Sequence, residues 1–297
     1  MPTFRFDRFV PLLVIALAIG LAACSASSSA SADASSDAAL RVMSFNIRLN
    51  TESDGENAWP HRIEAVERIM QDADVVGVQE ALPGMIETLD ARLDGWARIG
   101  VGRDADGGGE YSAIYYRTDR LELTTGDTFW LSKTPEVPGS KDWDAAITRI
   151  ATWGTFRDRA SGDELTIINT HFDHVGQTAR EQSAQLIVDR FDQLAGDGPV
   201  VLMGDFNVTP NNPVYPVLTE STGLSDAFLA SATLPTGVAG TWNGFGRDEP
   251  VRRIDYVFVR GLAVQSFTTR DETIGEVLGT DNSRYPSDHF AVMATVR

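Results

Sequence analysis

Apolar β-forming runs recur along this chain in groups, and the helical stretches lie between the groups rather than after every strand. Leu40–Leu49 alternates and reads as a strand, and Val75–Val78 reads as a short buried one. Between them Pro60 opens a helix whose Ile63, Val66, Ile69, Met70 and Ala73 keep helical spacing. A helical stretch around Met85–Leu93 follows, and the texture then turns β-like through Tyr111–Arg117, Leu121–Leu131, Ile147–Arg157 and Leu165–Asn169. Thr178 with Glu181 predicts a capping box. The helix it opens shows Ser183, Leu186, Ile187, Phe191 and Leu194 on one face and stops at Gly196. Val200–Met203, Arg253–Val259, Leu262–Thr269 and Phe290–Val296 complete the strands. A doubly wound parallel sheet needs a helix after each strand, so this grouping predicts an α/β sandwich of mixed sheets.

The strand ends carry the chemistry. In "VVLMGDFNVTP" a buried run delivers Asp205 and Asn207 where it leaves the core. "MSFNIR" does the same with Asn46, "VVGVQEAL" with Glu80 and "IINTHFDH" with His171. "YPSDHFAVMATV" sets Asp288 and His289 just before the last strand. In "RRIDYVFV" Asp255 shares parity with Val257 and Val259, so its carboxylate points to an otherwise apolar face. Each position alone also reads as a turn former or a solvated loop acid. Asp255 resists that reading most, because an unpaired carboxylate on an apolar face is costly and a histidine imidazole is a natural partner. His61, on a polar helix face, reads as structural, and His174 as a loop residue near the site.

Other chemistries are missing. The chain has no Gly-x-Ser-x-Gly elbow, no His-Glu-x-x-His pair and no glycine fingerprint opening a helix; "GRDADGGGEY" runs between β segments and reads as a loop. Acids and amides without clustered His or Cys suit a hard ion such as Mg²⁺ or Mn²⁺. The formal charge of -17 and the pI of about 4.6 oppose a long polyanion unless cations offset the field.

The first residues read as a processing signal. Arg5 and Arg8 precede an apolar Val10–Ala23 that ends "LAAC" and resembles a bacterial lipobox. The resemblance implies cleavage of residues 1–23 and lipidation of Cys24, with an ordinary secretory signal as the alternative. Cys24 is the only cysteine, so no disulfide is available. Residues 24–39, almost entirely Ser, Ala and Asp, read as a flexible tether, which leaves 40–297 as one catalytic domain.

"SFNIR", "VQE", "NTHFDH", "GDFN", "RIDYVFV" and "SDH" stand in the order seen in the endonuclease/exonuclease/phosphatase superfamily, which the chain resembles from about Leu40 to Arg297. The resemblance implies a four-layer α/β sandwich, two mixed or antiparallel sheets flanked by helices. It implies Glu80 as principal metal ligand, supported by Asn46 and Asp288. Asp205 would orient and deprotonate the attacking water, and Asn207 would hold that water or a phosphate oxygen. His289, fixed by Asp255, would act as acid, base or cationic stabiliser, and His171 would donate to a non-bridging oxygen. Arg48 stands where abasic-site enzymes carry a second acid, and is a candidate phosphate contact. His171 replaces their tyrosine, which favours the nuclease, sphingomyelinase and deadenylase branches. Arg149 and Tyr111 either line the pocket or pack beside it.

The expectation is an exported Mg²⁺- or Mn²⁺-dependent phosphoesterase. It would act as a monomer, lipid-anchored at the periplasmic face or the outer membrane. A small or lipid-like phosphoester is favoured over nucleic acid by the acidic balance. The alternatives are an extracytoplasmic nuclease using the same residues, and a catalytically silent binding lipoprotein on the same fold.

Overall fold

Along Leu40–Asn46 (β1), successive side chains enter two different cores. Leu40 and Val42 join one apolar cluster, Met43 and Phe45 another. The computed structural model, which describes residues 39–246 and 249–297, repeats this alternation across two six-stranded sheets. The first sheet adds β2 (Val75–Gln79), β3 (Trp96–Ile99), β4 (Ile114–Arg117), and, from the end of the chain, two strands introduced below. The second contains β5 (Leu121–Trp130), β6 (Ile150–Asp158), β7 (Glu164–His171), β8 (Val200–Asp205), β9 (Ser225–Asp226) and β10 (Asp255–Arg260). β11 (Val264–Arg270) and β12 (Ala291–Val296) return to the first sheet, whose order is β11-β12-β1-β2-β4-β3.

Helices α1 (Ile63–Met70) and α2 (Pro83–Arg92) cover the outer face of the first sheet through Val66, Ile69, Met85, Ile86 and Leu89. Helices α3 (Gln177–Ala195) and α4 (Val214–Thr222) cover the second through Ala184, Ile187, Phe191 and Leu218. Between the sheets lie Val42, Val75, Ile167, Val201, Met203, Val257 and Val292. Each such fully buried side chain contributes ~1.5–3 kcal/mol relative to exposure. The result is helix, sheet, sheet, helix: a four-layer α/β sandwich, as the grouping of elements predicts.

The central layer changes character at one end. β1 and β2 are parallel, β7 and β8 are parallel, and β12 and β10 run back against β1 and β8. Asn46, Gln79, His171 and Asp205 therefore end their strands, and Asp255 begins its own, on the same side. Just inside that rim Gln79 donates to Asn169 Oδ1 at 2.7 Å, and Asn169 donates to the carbonyls of Val78 and Ala113 at 2.9 Å each. The sheets approach so closely here that a Cβ on Gly77 would stand 2.7 Å from Asn169 Cγ.

Three local expectations need correction. The helix after Gly176 has no Thr178–Glu181 capping box; it starts at Gln177, and Asp144 accepts from Thr178 N–H (3.2 Å) and Ala179 N–H (2.6 Å) instead. Tyr111–Arg117 is a strand only from Ile114, because Tyr111 pairs in isolated bridges with Ala81 and Gly102. α4, with α5 (Ala227–Ala230) and α6 (Ile274–Leu278), falls where periodicity predicts no helix. Pro216 and the β-branched Val214, Val217, Thr219 and Thr222 all weigh against helix in α4. Residues 1–38, including Cys24, lie outside the described residues; among the rest, no helix is long and apolar enough to cross a membrane.

Candidate active site

Strand parity delivers the polar groups into one cleft of about 440 Å³ at that rim, lined by Arg48, Glu80, Arg149, His171, Asp205, Asn207, Asp288 and His289 among others. Asn46 and Asp255 are fully buried directly behind it. A groove of about 390 Å³ at the other end of β1, beside Leu40, Leu165 and Leu262, holds none of these groups.

Asp255 and His289 form a buried pair. His289 Nδ1–H donates to Asp255 Oδ2 at 2.9 Å, while Thr241 Oγ1 accepts from the Asp255 and Ile254 amides at 3.1 and 3.0 Å. Burial alone would lower the His289 pKa, but the Asp255 carboxylate and its hydrogen bond outweigh it and hold the ring charged. Its Nε2 is left 3.8 Å from Asp205 Oδ2.

Asp205 is held by the Asn207 amide at Oδ1 (2.9 Å) and by Asn46 Nδ2 at Oδ2 (3.1 Å). Burial, and then the Asp255 charge, push its carboxyl well above the usual carboxylate range. Asn207 takes a left-handed φ of 52° that aims its amide back at the strand ends. It donates to Phe172 O at 3.1 Å, and its Nδ2 lies 3.1 Å from His171 Nε2. That contact makes His171 Nε2 the acceptor and puts the ring proton on Nδ1. Burial, and then the neighbouring Arg149 cation, hold His171 well below the usual imidazole range and keep it neutral.

Glu80, at a left-handed φ of 63°, accepts from Asn46 Nδ2 at 3.0 Å and from Leu49 N–H at 3.1 Å. Burial would raise its pKa, but these hydrogen bonds with the His289 and Arg48 charges bring it down. Asn46 thus spans two carboxylates with its nitrogen, while its oxygen accepts from Arg48 N–H at 3.0 Å. Burial pushes Asp288 up, opposed by His289 and helped by Glu80. Arg48 sits 3.9 Å from both Glu80 and Asp288, its fork closed on Asp54 at 3.0 and 3.1 Å.

Two groupings of this donor set could hold an ion. Asp205, Asp255 and His289 bring one ligand atom each within 4.8 Å of one another, but Asp255 already shares a proton with the ring. Glu80 and Asp288, with Asp205 facing the same cleft, offer oxygen donors that repel each other when buried. That is the donor chemistry of a hard divalent cation, and the residues fit one.

Arg149, 5% exposed, lies 3.2 Å from His174 Nδ1 through Nη2, and its Nε has no hydrogen-bond partner among the described residues. Tyr111 turns aside: its hydroxyl donates to Gly107 O at 3.4 Å and its ring lies 5.7 Å beneath Arg98. The neighbouring Glu110 lines the cleft in its place, paired with Arg103 at 2.7 Å. Trp242, with Arg252 at 4.1 Å over its ring, forms another part of the wall. Arg252 adjoins "RIDYVFV", which is a signal for it, whereas nothing in the sequence marks Trp242 or Glu110. His61 is exposed and does not line the cleft.

Residues 43–289 match the model of the Endonuclease/Exonuclease/phosphatase family. Drosophila melanogaster nocturnin is 28% identical over 221 residues, 64% of this chain and 33% of its own, so the match spans about a third of that relative's length. Among solved structures, an endonuclease/exonuclease/phosphatase from Bacteroides vulgatus superposes with a TM-score of 0.81 at 36% identity, covering 87% of this chain and 98% of that one. A Bacteroides thetaiotaomicron mannosyl-6-phosphatase gives 0.80 at 33% identity, covering 87% and 99%.

Proposed function

Because the chain belongs to the endonuclease/exonuclease/phosphatase family, whose members are hydrolases acting on phosphoesters, we propose that it is a divalent-cation-dependent phosphatase of small phosphoesters. The observation that carries this reading is the convergence of Glu80, Asp205 and the Asp255–His289 pair, joined through Asn46, at one rim of the sandwich. Sugar phosphates are the preferred class. The mannosyl-6-phosphatase resembles 87% of the chain at 33% identity, and the cleft sets Arg48, Arg149 and Arg252 beside the acids Glu80, Glu110, Asp205 and Asp288, a mixed lining suited to one phosphate group on a neutral sugar. A long polyanion meets a net charge of -17, which weighs against a nuclease.

A divalent cation held by Glu80 and Asp288 would supply neutralisation of charge on the phosphoryl oxygens. Asp205, oriented by Asn207 and Asn46 and raised in pKa, takes a proton from the attacking water. Water oxygen bonds to phosphorus as the ester bond breaks, and the departing alkoxide oxygen takes a proton from solvent to leave as the alcohol. His289, held cationic by Asp255, donates from Nε2 to an oxygen of the phosphoryl group as charge develops. Arg149 orients the remaining oxygens from the cleft lining, while neutral His171 keeps Asn207 in place by accepting from its Nδ2.

Purified protein assayed against hexose phosphates, inositol phosphates, phospholipids, nucleotides and short DNA, with and without chelator, tests the reading. Chelator-sensitive release of phosphate from hexose phosphates is expected; cleavage of DNA with no turnover of any monoester would sink it. We further infer export and lipid attachment at Cys24, on the strength of "LAAC" after an apolar run. Cys24→Ala should move the protein from the membrane to the soluble fraction.

A further inference from the structure

Arg62 is 1% exposed and the bulkiest of the fully buried side chains. It stands at the N-terminus of α1, where the helix dipole disfavours a cation, and burial of a charge without a paired carboxylate is costly. Burial does lower its pKa, to about 10, against the pull of the Asp288 and Asp54 charges. All four hydrogen bonds its guanidinium makes among the described residues end on backbone carbonyls: Asn57 (2.6 Å), Ile47 (2.7 Å), Pro286 (2.8 Å) and Arg48 (3.0 Å). The rings of Trp59 and Phe245 lie 5.5 Å from its guanidinium carbon.

Two of those carbonyls belong to peptide groups whose opposite ends touch the site. The Ile47 carbonyl shares its peptide with the Arg48 N–H, which donates to Asn46 Oδ1 at 3.0 Å. The Arg48 carbonyl shares its peptide with the Leu49 N–H, which donates to Glu80 Oε2 at 3.1 Å. A cation on the oxygen of a peptide polarises it and strengthens donation from its N–H. The third carbonyl, Pro286, lies two residues before Asp288, and Ser287 Oγ closes the same seam on Asn46 O at 2.7 Å.

We propose that Arg62 is the positioning residue of the ion site. Through two peptide groups it sets the Asn46 amide and the Glu80 carboxylate, and through Pro286 it fixes their distance to Asp288. The proposal rests on the ion reading given above, and it adds a residue that touches neither ion nor substrate.

Direct Mn²⁺ binding to the full chain, followed by the paramagnetic resonance of free Mn²⁺, tests it beside steady-state kinetics on p-nitrophenyl phosphate. Arg62→Lys keeps the charge but loses the planar fork. It should weaken Mn²⁺ binding about tenfold and lower kcat, with KM changed less than about twofold, as loss of an outer-sphere orienting group does. Arg253→Lys is the control. That arginine is also buried, pairs with Asp226 at 2.7 Å and does not line the cleft. It should melt earlier with Mn²⁺ affinity unchanged. Equal loss of affinity in both variants, or none in Arg62→Lys, overturns the proposal. Should Arg62→Lys fail to fold, Ser287→Ala on the same seam must weaken Mn²⁺ binding, and unchanged affinity there overturns the proposal equally. Failure of the unmodified chain to bind Mn²⁺ would instead remove the ion reading itself, and this inference with it.

Discussion

His289 donates from Nδ1 to Asp255 Oδ2 at 2.9 Å, and that bond decides which nitrogen the cleft receives. With Nδ1 engaged, Nε2 points towards Asp205, 3.8 Å away. Asp255 is fully buried on the face between the sheets, so it fixes the ring as rigidly as the strand itself. An Asn at the same position keeps the shape, removes the charge and allows the ring to take either tautomer. Asp255→Asn should therefore lower kcat by ~10²–10⁴, the usual range for a misplaced acid or base. KM should barely move, since the side chain does not face the cleft. Steady-state kinetics on a hexose phosphate check this; a kcat within a few-fold of the parent would remove His289 from the chemistry.

Asn46 offers a second test, because one amide nitrogen supports two carboxylates, Glu80 at 3.0 Å and Asp205 at 3.1 Å. Asn46→Ala frees both and leaves their negative charges to separate. The concentration of Mg²⁺ giving half-maximal activity should rise ~10–100-fold, as it does when an outer-sphere partner is lost. Asn46→Asp should be worse, since it adds a third buried negative charge beside the other two. Titration of activity with Mg²⁺ in each variant separates these outcomes, and an unchanged midpoint would assign the ion elsewhere.

What the sequence makes legible follows from how local the physics is. Side-chain parity is local, so Asp255 can be placed on an apolar face from Val257 and Val259 alone, and in the structure that face lies between the sheets. Helix capping looks local and here is not. Thr178 and Glu181 have the spacing of a cap, yet Asp144, more than thirty residues earlier, takes the Thr178 and Ala179 N–H groups. Arg62 leaves no trace in the sequence because its partners are carbonyls that every residue owns. Glu110 hides for a related reason: a glycine-rich stretch fixes no direction, and only the bridges of Tyr111 to Ala81 and Gly102 turn its neighbour into the cleft.

Gly77 tests the claim that close contact between the sheets supports the site. A Cβ there would meet Asn169 at 2.7 Å and the Met203 methyl at 2.9 Å. Met203 can swing away, but Asn169 is tied to Gln79, Val78 and Ala113 by bonds of 2.7, 2.9 and 2.9 Å. Gly77→Ala should therefore destabilise by ~1–3 kcal/mol, the cost of overpacking a filled core. Urea unfolding measures it. Gly77→Ala combined with Asn169→Ala should recover part of the loss only if the clash, and not backbone freedom, is the cause.

Asp173 should contribute to the acid limit of the fold, with Asp158 and Glu80 among the other carboxylates held below their usual range. The Asp173 carboxylate, 1% exposed, accepts four backbone N–H groups: Gly176 (2.7 Å), Val175 (2.9 Å), Ala146 (3.0 Å) and Ile147 (3.2 Å). It thereby fastens the segment after His171 to the loop before Arg149, two residues of the same cleft wall. Burial alone would raise its pKa, but the four donors outweigh burial and hold it below the usual carboxylate value. A depressed folded-state pKa means that the unfolded chain takes up the proton first. The stabilisation is complete above the unfolded value of about 3.9 and is lost as pH falls through the lower folded value. Stability should stay flat in this respect from neutral pH down to about 5 and drop steeply below about 4. Asp173→Asn should flatten that acid drop while costing stability at pH 7. Asp173→Ala, which strands all four donors, should cost ~2–4 kcal/mol at neutral pH. Urea midpoints from pH 7 to pH 3 read both, and an acid limb of equal steepness in Asp173→Asn would show that another carboxylate sets it.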